Sequence, residues 1–527
     1  HPRPQSEKLI ISLYFSKNRP IISLYFSIFA TIISLYFSIF ATIISLYFLK
    51  NRPIICLYFS ILVTLQPKTQ YISMYLKRII DKYLEEWAKR ADHKPILLRG
   101  ARQVGKSSSV KHLGRLFQNY AEINFEKSPI YKQVFEADLD AGRIVSQLSA
   151  LIGIDIIPGK TLLFLDEVQE CPKAIMALRF FKEDMPKLHV IAAGSLLEFA
   201  LDDLPTFGVG RIHSMFMRPL SFDEFESACG FDALLKTRDS ASAEHPLPEP
   251  LYKTILEHYR TYMMIGGMPE VVVKWVATHN YSQCQEVQDD IIVSYEDDFP
   301  KYKSKVDPDL LRSVLHSAAV QCGKKFVYAD VGGYKTHAVK QALDLLYRAG
   351  ILIPVTHTSA NGLPLGSEIN ANKRKVIFLD CGLLLRTLNM ALGDISDITA
   401  QILTANATDL VNKGSIAEQV AGTELLAYKT ANLRHELYYW AREAKSSLAE
   451  VDYIESFGNK VLPVEVKANV QGGMKSLWVF MREKKLHSAV RCSAENFGKI
   501  TYIDEQDNGE ERQVTIVPLF AISKLYR

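Results

Sequence analysis

The chain is 527 residues long, with 62 Lys and Arg against 58 Asp and Glu, a net charge of +4. That length holds roughly two to four domains, each able to bury its own core, and the small charge excludes a polyanion-binding surface spread over the whole molecule. The seven cysteines (56, 171, 229, 284, 322, 381 and 492) are odd in number and lack C-x-x-C, which excludes a disulfide framework or a zinc ribbon and suits a reducing, cytoplasmic setting.

Residues 10 to 64 are unlike the rest. The hexapeptide Ile-Ile-(Ser/Cys)-Leu-Tyr-Phe begins at Ile10, Ile21, Ile32, Ile43 and Ile54, a strict eleven-residue period with near-identical copies. Solenoid repeats diverge around a shared pattern and run longer, so these copies read as a tandem duplication of DNA. The chain begins at His1 and its first methionine is Met74. The expectation is that the native protein starts near Met74 and that residues 1–73 come from a misread or truncated frame. The rival reading is a membrane anchor, present only if the repeats are expressed. Ile21 to Leu49 is 29 residues without a charge, flanked by Lys17, Arg19, Lys50 and Arg52, and about 20 apolar residues cross a bilayer.

After Met74, the spacing of Leu76, Ile79, Ile80, Tyr83 and Leu84 predicts one apolar face of a helix. The segment from Pro95 to Val110 is a short apolar run, then Gly100-Ala101-Arg102-Gln103-Val104-Gly105-Lys106-Ser107, then a helix-compatible stretch with Ser108. This is G-x-x-x-x-G-K-S in strand, loop and helix context, and the glycines let successive backbone N–H groups converge on a phosphate at a helix N-terminus. Residues 100 to 108 are the candidate cradle for ATP. Lys106 would reach the β- and γ-phosphates and Ser107 would ligate Mg²⁺.

Ile123 to Phe125 reads as a second short strand. Thr161 to Glu167 is a buried-strand run ending in Asp166, a candidate Mg²⁺ ligand, and Glu167, a candidate base for the attacking water. Leu188 to Ser195 makes a fourth strand. Ser195 at its end is either a sensor of the γ-phosphate or simply a small residue starting a turn after Gly194. Alternating strands and helices predict an α/β fold with a doubly wound parallel sheet. Arg211 is the candidate for neutralising transition-state charge, in its own subunit or in a neighbouring copy of a homo-oligomer. A surface ion pair is the competing reading.

These stretches, together with Arg218-Pro219-Leu220-Ser221-Phe222-Asp223-Glu224-Phe225 and Gly266-Gly267-Met268-Pro269-Glu270, resemble one prokaryotic family over roughly residues 74 to 527. It comprises AAA-type P-loop ATPases with a C-terminal domain of unknown function similar to restriction endonucleases. Two departures stand out: Ser107 and Ser108 where paired threonines are frequent, and Leu196 where a second serine is frequent. The expected organisation is an ATPase core over 74–225, a helical lid or connector over 226–300, a winged-helix-like region over 301–370, and a nuclease-like domain over 371–527.

In the winged-helix-like region, Asp307 to Leu311 opens a helix. Tyr328 to Val331 and Lys335 to Leu346 suggest a helix–turn–helix pair joined at Gly332-Gly333, followed by a wing from Ala349 to Val355. Lys335, Thr336, His337, Lys340 and Gln341 would face DNA, and a purely protein-binding role stands beside that reading. Lys375 to Leu383 is another family-like stretch whose chemistry the sequence does not reveal.

In the last domain, strands at Leu437–Trp440, Ala449–Ile454 and Leu462–Lys467 are expected, with a turn at Gly458-Asn459. Glu465 and Lys467 share a face that Asp452 can meet. By the resemblance, Glu418, Asp452 and Glu465 would hold a divalent cation, with Lys467 beside them, as in a D…E-x-K nuclease site. A cross-strand ion pair is the plainer alternative. The function expected is Mg²⁺-dependent ATP hydrolysis coupled to a DNA-binding or nuclease-like domain. The alternative is a slow ATP-dependent switch that uses its C-terminal half for protein contacts.

Overall fold

Runs such as Ile96-Leu97-Leu98 and Leu162-Leu163-Phe164-Leu165 are apolar on both faces, and a strand of that kind is stable only inside a parallel sheet covered on both sides. The computed structural model describes residues 75–202, 204, 210–302, 306–388, 413–444, 447–468 and 473–526. The repeats and the candidate membrane segment 21–49 lie outside them. Among the described residues no helix is long and apolar enough to cross a membrane.

The first sheet is made of β1 (Ile96–Arg99), β2 (Asn119–Asn124), β3 (Thr161–Asp166), β4 (His189–Ala193) and β5 (His213–Phe216), in the order β2-β3-β4-β1-β5. Every pairing is parallel. β2 begins at Asn119, four residues before the expected strand. As the edge strand it buries only Ala121 and Ile123, so its polar alternate positions hide it in the sequence. Helix α1 (Ile79–Ala88) and α2 (Lys106–Gly114) pack on one face, α3 (Ala141–Ile152) and α4 (Pro172–Asp184) on the other. The sheet is doubly wound, as expected.

Ser221 caps α5 (Phe222–Ala228): its hydroxyl accepts from Glu224 N at 3.3 Å while Glu224 accepts from Ser221 N at 2.7 Å. This capping box explains the Ser-x-x-Glu spacing. Helices α6 (Asp232–Ser240), α7 (Glu249–Ile265), α8 (Pro269–Thr278) and α9 (Tyr281–Asp298) form the connector around the Gly266-Gly267 turn. α10 (Pro308–Val320), capped by Asp307, then packs against α11 (Thr336–Arg348). Tyr328–Asp330 is a single 3-10 turn rather than the first helix of a pair; four residues between Val327 and the two glycines are too few for one.

The hairpin β6 (Leu352–Thr358) and β7 (Ile369–Phe378) follows. It does not stand alone. It joins β8 (Leu437–Ala444), β9 (Ser447–Phe457), β10 (Lys460–Lys467), β11 (Ser488–Ser493), β12 (Gly498–Asp504) and β13 (Glu510–Pro518) in one mixed sheet, ordered β12-β13-β11-β10-β9-β8-β6-β7. The expected boundary at 370 therefore falls inside β7.

The C-terminal half is bonded to the half that carries the parallel sheet at several points. Glu424, on helix α13 (Lys413–Ala427), which follows α12 (Cys381–Thr387), accepts from Phe222 N at 3.0 Å and from the hydroxyls of Tyr262 and Tyr428 at 3.0 and 2.9 Å. Buried Arg238 pairs with Asp223 and donates to Phe520 O at 2.9 Å. Asp380 accepts from Gly267 N at 2.6 Å and caps α12 through Leu383 N at 3.0 Å. That bond gives the Lys375–Leu383 stretch its meaning: its aspartate is spent fixing the connector turn.

Burial pushes the Glu424 carboxyl up from 4.5 to about 8. The native state therefore binds a proton that the unfolded chain has released, and the stabilisation present below pH 4.5 is lost as pH rises through 8. Thermal stability is expected to fall from about pH 5 to pH 8, and Glu424→Gln is expected to flatten that slope. An unchanged slope in the variant, followed by calorimetry across pH, contradicts the assignment.

Candidate functional site

The loop after β1 has the backbone a phosphate cradle needs. Gly100 (φ 150°), Gln103 (φ 63°) and Gly105 (φ 98°) have positive φ, and a Cβ at Gly100 would overlap the Met217 carbonyl. The loop carbonyls are held by donors. Lys106 Nζ donates to Gly100 O at 2.9 Å and Ala101 O at 2.7 Å, Tyr295 OH to Arg102 O at 2.8 Å, and Arg78 Nη1 to Val104 O at 2.8 Å. Arg78 is itself fixed by Glu224 at 3.0 Å. Arg102 is clamped by Asp298 at 2.7 and 2.8 Å. Gln103 and Ser108 are exposed, and Ser107 begins the first turn of α2 half-buried.

β3 lies two strands away, and the loop and α2 bring Ser107 to its end. Ser107 Oγ donates to Asp166 at 3.0 and 3.2 Å, and Asn124 Nδ2, from β2, donates to the same carboxylate at 3.2 Å. Burial, and then neighbouring Glu167, raise the Asp166 carboxyl. Burial pushes the Lys106 ammonium down to about 8, against the pull of Glu167 and Asp166. Glu167 sits in the left-handed region (φ 50°, ψ 46°) and accepts from Gln169 Nε2 at 2.8 Å. A Cβ at Gly194 would meet the amide end of the Gln169 side chain, which lies over this turn.

The residues fit a magnesium–nucleotide complex. The donor set is a hydroxyl and a carboxylate already facing each other, beside a loop of free amides and a lysine, and a divalent ion there supplies Lewis-acid neutralisation of phosphate charge. Lys106, Ser107, Asp166 and Glu167 are thus brought together. Ser195, half-buried, follows β4 beside them, whereas Arg211 is exposed and paired with Glu183 at 3.2 Å. Arg78, Asn124, Gln169 and Asp298 were not singled out by sequence. Only Gln169, the last residue of the family-like stretch Leu165 to Gln169, carried any signal.

The second expected site is built differently. Glu418, Asp452 and Glu465 do converge, and Lys467 meets Glu465 at 2.5 Å. At their centre, however, stands Lys375 from β7, fully buried, 2.8 Å from Glu418, 2.5 Å from Glu450 and 3.8 Å from Asp452. Asp452 also accepts from Val466 N at 2.8 Å. Burial raises the Glu418 and Glu465 carboxyls, and Lys375 opposes the rise at Glu418. Among the described residues no three His, Cys, Asp or Glu groups are arranged to hold a metal ion. An ammonium occupies the centre a divalent cation would need, so the expected ligand set does not fit one.

Comparison with known proteins adds the following. Residues 92–226 match a family described as an AAA domain; residues 256–393 and 413–521 match two domains of unknown function, DUF8612 and DUF4143. The chain carries an AAA-type ATPase domain. Among solved structures it is similar to the Walker-type ATPase PABY2304 of Pyrococcus abyssi, at 15% identity and a TM-score of 0.40 over 62% of this chain and 99% of that one. It is also similar to the Orc1 protein of Aeropyrum pernix in complex with DNA, at 13% identity and a TM-score of 0.28 over 61% and 94%. The Drosophila ORC bound to DNA shares 13% identity at a TM-score of 0.24 over 59% and 85%. No curated protein matches the sequence.

Because Lys375 is the counter-charge for buried acids, removing it leaves those charges uncompensated. Lys375→Ala is expected to cost about 3–5 kcal/mol of stability in denaturant unfolding. Millimolar Mg²⁺ or Mn²⁺ is expected not to restore it, and full rescue by either ion contradicts this reading.

Proposed function

We propose that the chain is a Mg²⁺-dependent ATP hydrolase whose nucleotide state acts on its C-terminal half. The observation that carries the proposal is the Ser107 hydroxyl lying 3.0 Å from Asp166, with Lys106 and Glu167 at the same strand ends. Lys106 holds the β- and γ-phosphates, the loop amides orient them, and Asp166 with Ser107 holds the metal complex. Glu167 accepts the proton of the attacking water, after giving up its contact with Gln169. Arg211 and Ser195 are the groups proposed to meet γ-phosphate charge, Arg211 from a second copy in a homo-oligomer.

DNA is proposed as the partner of α11. Lys335, Thr336, His337, Lys340 and Gln341 are all exposed, although Lys340 donates to Asn372 at 3.2 Å and would have to release it to reach a groove. Metal-dependent cleavage is not part of the proposal. The dense bonding between the two halves favours a second reading in which that half acts through protein contacts as a switch.

Lys106→Ala is expected to abolish Mg²⁺-dependent ATP turnover. Glu167→Gln is expected to lower turnover at least about 100-fold with nucleotide binding retained. Unchanged turnover in Glu167→Gln removes the general-base role. Assays of the full chain with and without duplex DNA separate the two readings: the DNA reading expects stimulation, and a Lys335→Ala/Lys340→Ala variant whose salt slope for DNA falls by about two. No DNA effect leaves the switch.

A further inference from the structure

A cavity of about 360 Å³ lies behind the phosphate loop, between the ATPase sheet and the C-terminal half. Gly100, Ala101, Val104 and Ser195 form part of its wall, but Lys106, Ser107, Asp166 and Glu167 do not. It is therefore a different chamber from the phosphate side of the loop, sharing one wall with it.

Buried arginines in this protein are paired. Arg78 meets Glu224, Arg238 meets Asp223 and Arg512 meets Asp504. Arg218, which lines the cavity and is half-buried, differs from these: its guanidinium has no ion-pair or hydrogen-bond partner among the described residues. Burial, and then the like charge of Arg434, push it down to about 10. A half-enclosed guanidinium without a counter-ion leaves its N–H donors open to an anion that enters the cavity.

The acids that face the chamber are already engaged. Glu198 takes Arg99 at 2.5 Å and Arg434 at 3.5 Å; Asp380 is filled by backbone N–H groups; Glu424 accepts three donors and its raised pKa keeps it neutral near pH 7. Arg348 pairs with Asp344 at 3.1 Å. At the exposed mouth Arg434 and His435 stand beside Glu436, which accepts from Tyr438 at 2.6 Å. The rest of the wall is largely apolar, including Leu197, Met217, Leu352, Leu379 and Leu426. Its size falls within the range of small-molecule pockets.

We propose that this cavity binds a small organic anion, its carboxylate or phosphate head on Arg218 and its apolar body against Met217, Leu352 and Leu426. Because Gly100 and Ala101 belong to both chambers, occupancy of one is coupled to affinity in the other, and the coupling is reciprocal. That second part rests on the nucleotide reading above; the binding itself does not.

The test is calorimetric titration of the full chain with octanoate and with octyl phosphate, both below their micelle concentrations. One saturable site is expected for at least one probe, and the one that binds identifies the head group. Arg218→Met is expected to weaken it at least tenfold without lowering the thermal midpoint of the unliganded protein, because the guanidinium has no partner to lose. Thr423→Trp, which fills the chamber and keeps the charge, is expected to block the probe. The proposal is overturned if neither probe binds, if Arg218→Met binds equally well or melts lower, as a structural arginine would, or if Thr423→Trp leaves the probe bound, which would put it outside the chamber.

Discussion

A phosphate cradle needs a run of backbone N–H groups aimed at one point, and such a run turns its carbonyls the other way with nothing local to satisfy them. In this protein donors from elsewhere hold those carbonyls. Arg78 takes Val104 O, Tyr295 takes Arg102 O, and Lys106 itself takes Gly100 O and Ala101 O. The first two come from α1 and α9, well outside the loop. The cradle's shape is thus imposed by the connector helices and by the Arg78–Glu224 pair, and the motif residues supply only the capacity to adopt it. The Lys106 contacts are of another kind: they come from within the motif itself, by the side chain that the proposed function would turn toward phosphate oxygens.

The same dependence ties the two halves together. Glu424 accepts the Phe222 amide at the start of α5, whose Glu224 fixes Arg78, and Asp380 fixes the Gly266-Gly267 turn next to Leu220. A displacement of α13 or of the α12 cap therefore reaches the loop through two or three bonded contacts. One continuous apolar core runs from Ile96 and Leu98 through the connector to Val420 and Phe520. The C-terminal half is in that sense part of the nucleotide site's scaffold.

What the sequence revealed follows the range of the interactions involved. The phosphate loop, the Asp166-Glu167 strand end, the Asp307 cap and the Gly458-Asn459 hairpin are local patterns, and each stands where expected. The start of β2 was hidden because an edge strand keeps polar residues on its open side. The acidic cluster was legible as acids on neighbouring strands, but its cation was not: Lys375 lies 43 residues from Glu418, in a stretch whose chemistry the sequence did not reveal. Arg218 sat in a quoted motif, yet its lack of a partner is a property of the folded surroundings and no spacing rule exposes it. Resemblance supplied the expected metal ligands, and the charge that stands among them is what the family pattern left out.

Amide hydrogen exchange over Gly100 to Ser107, with and without MgATP, tests the central claim most directly, because it reads the groups said to do the holding. The account expects exchange across that loop to slow at least tenfold when MgATP is added, with Lys106→Ala losing the effect. Binding of MgATP with unchanged exchange at these amides would contradict it.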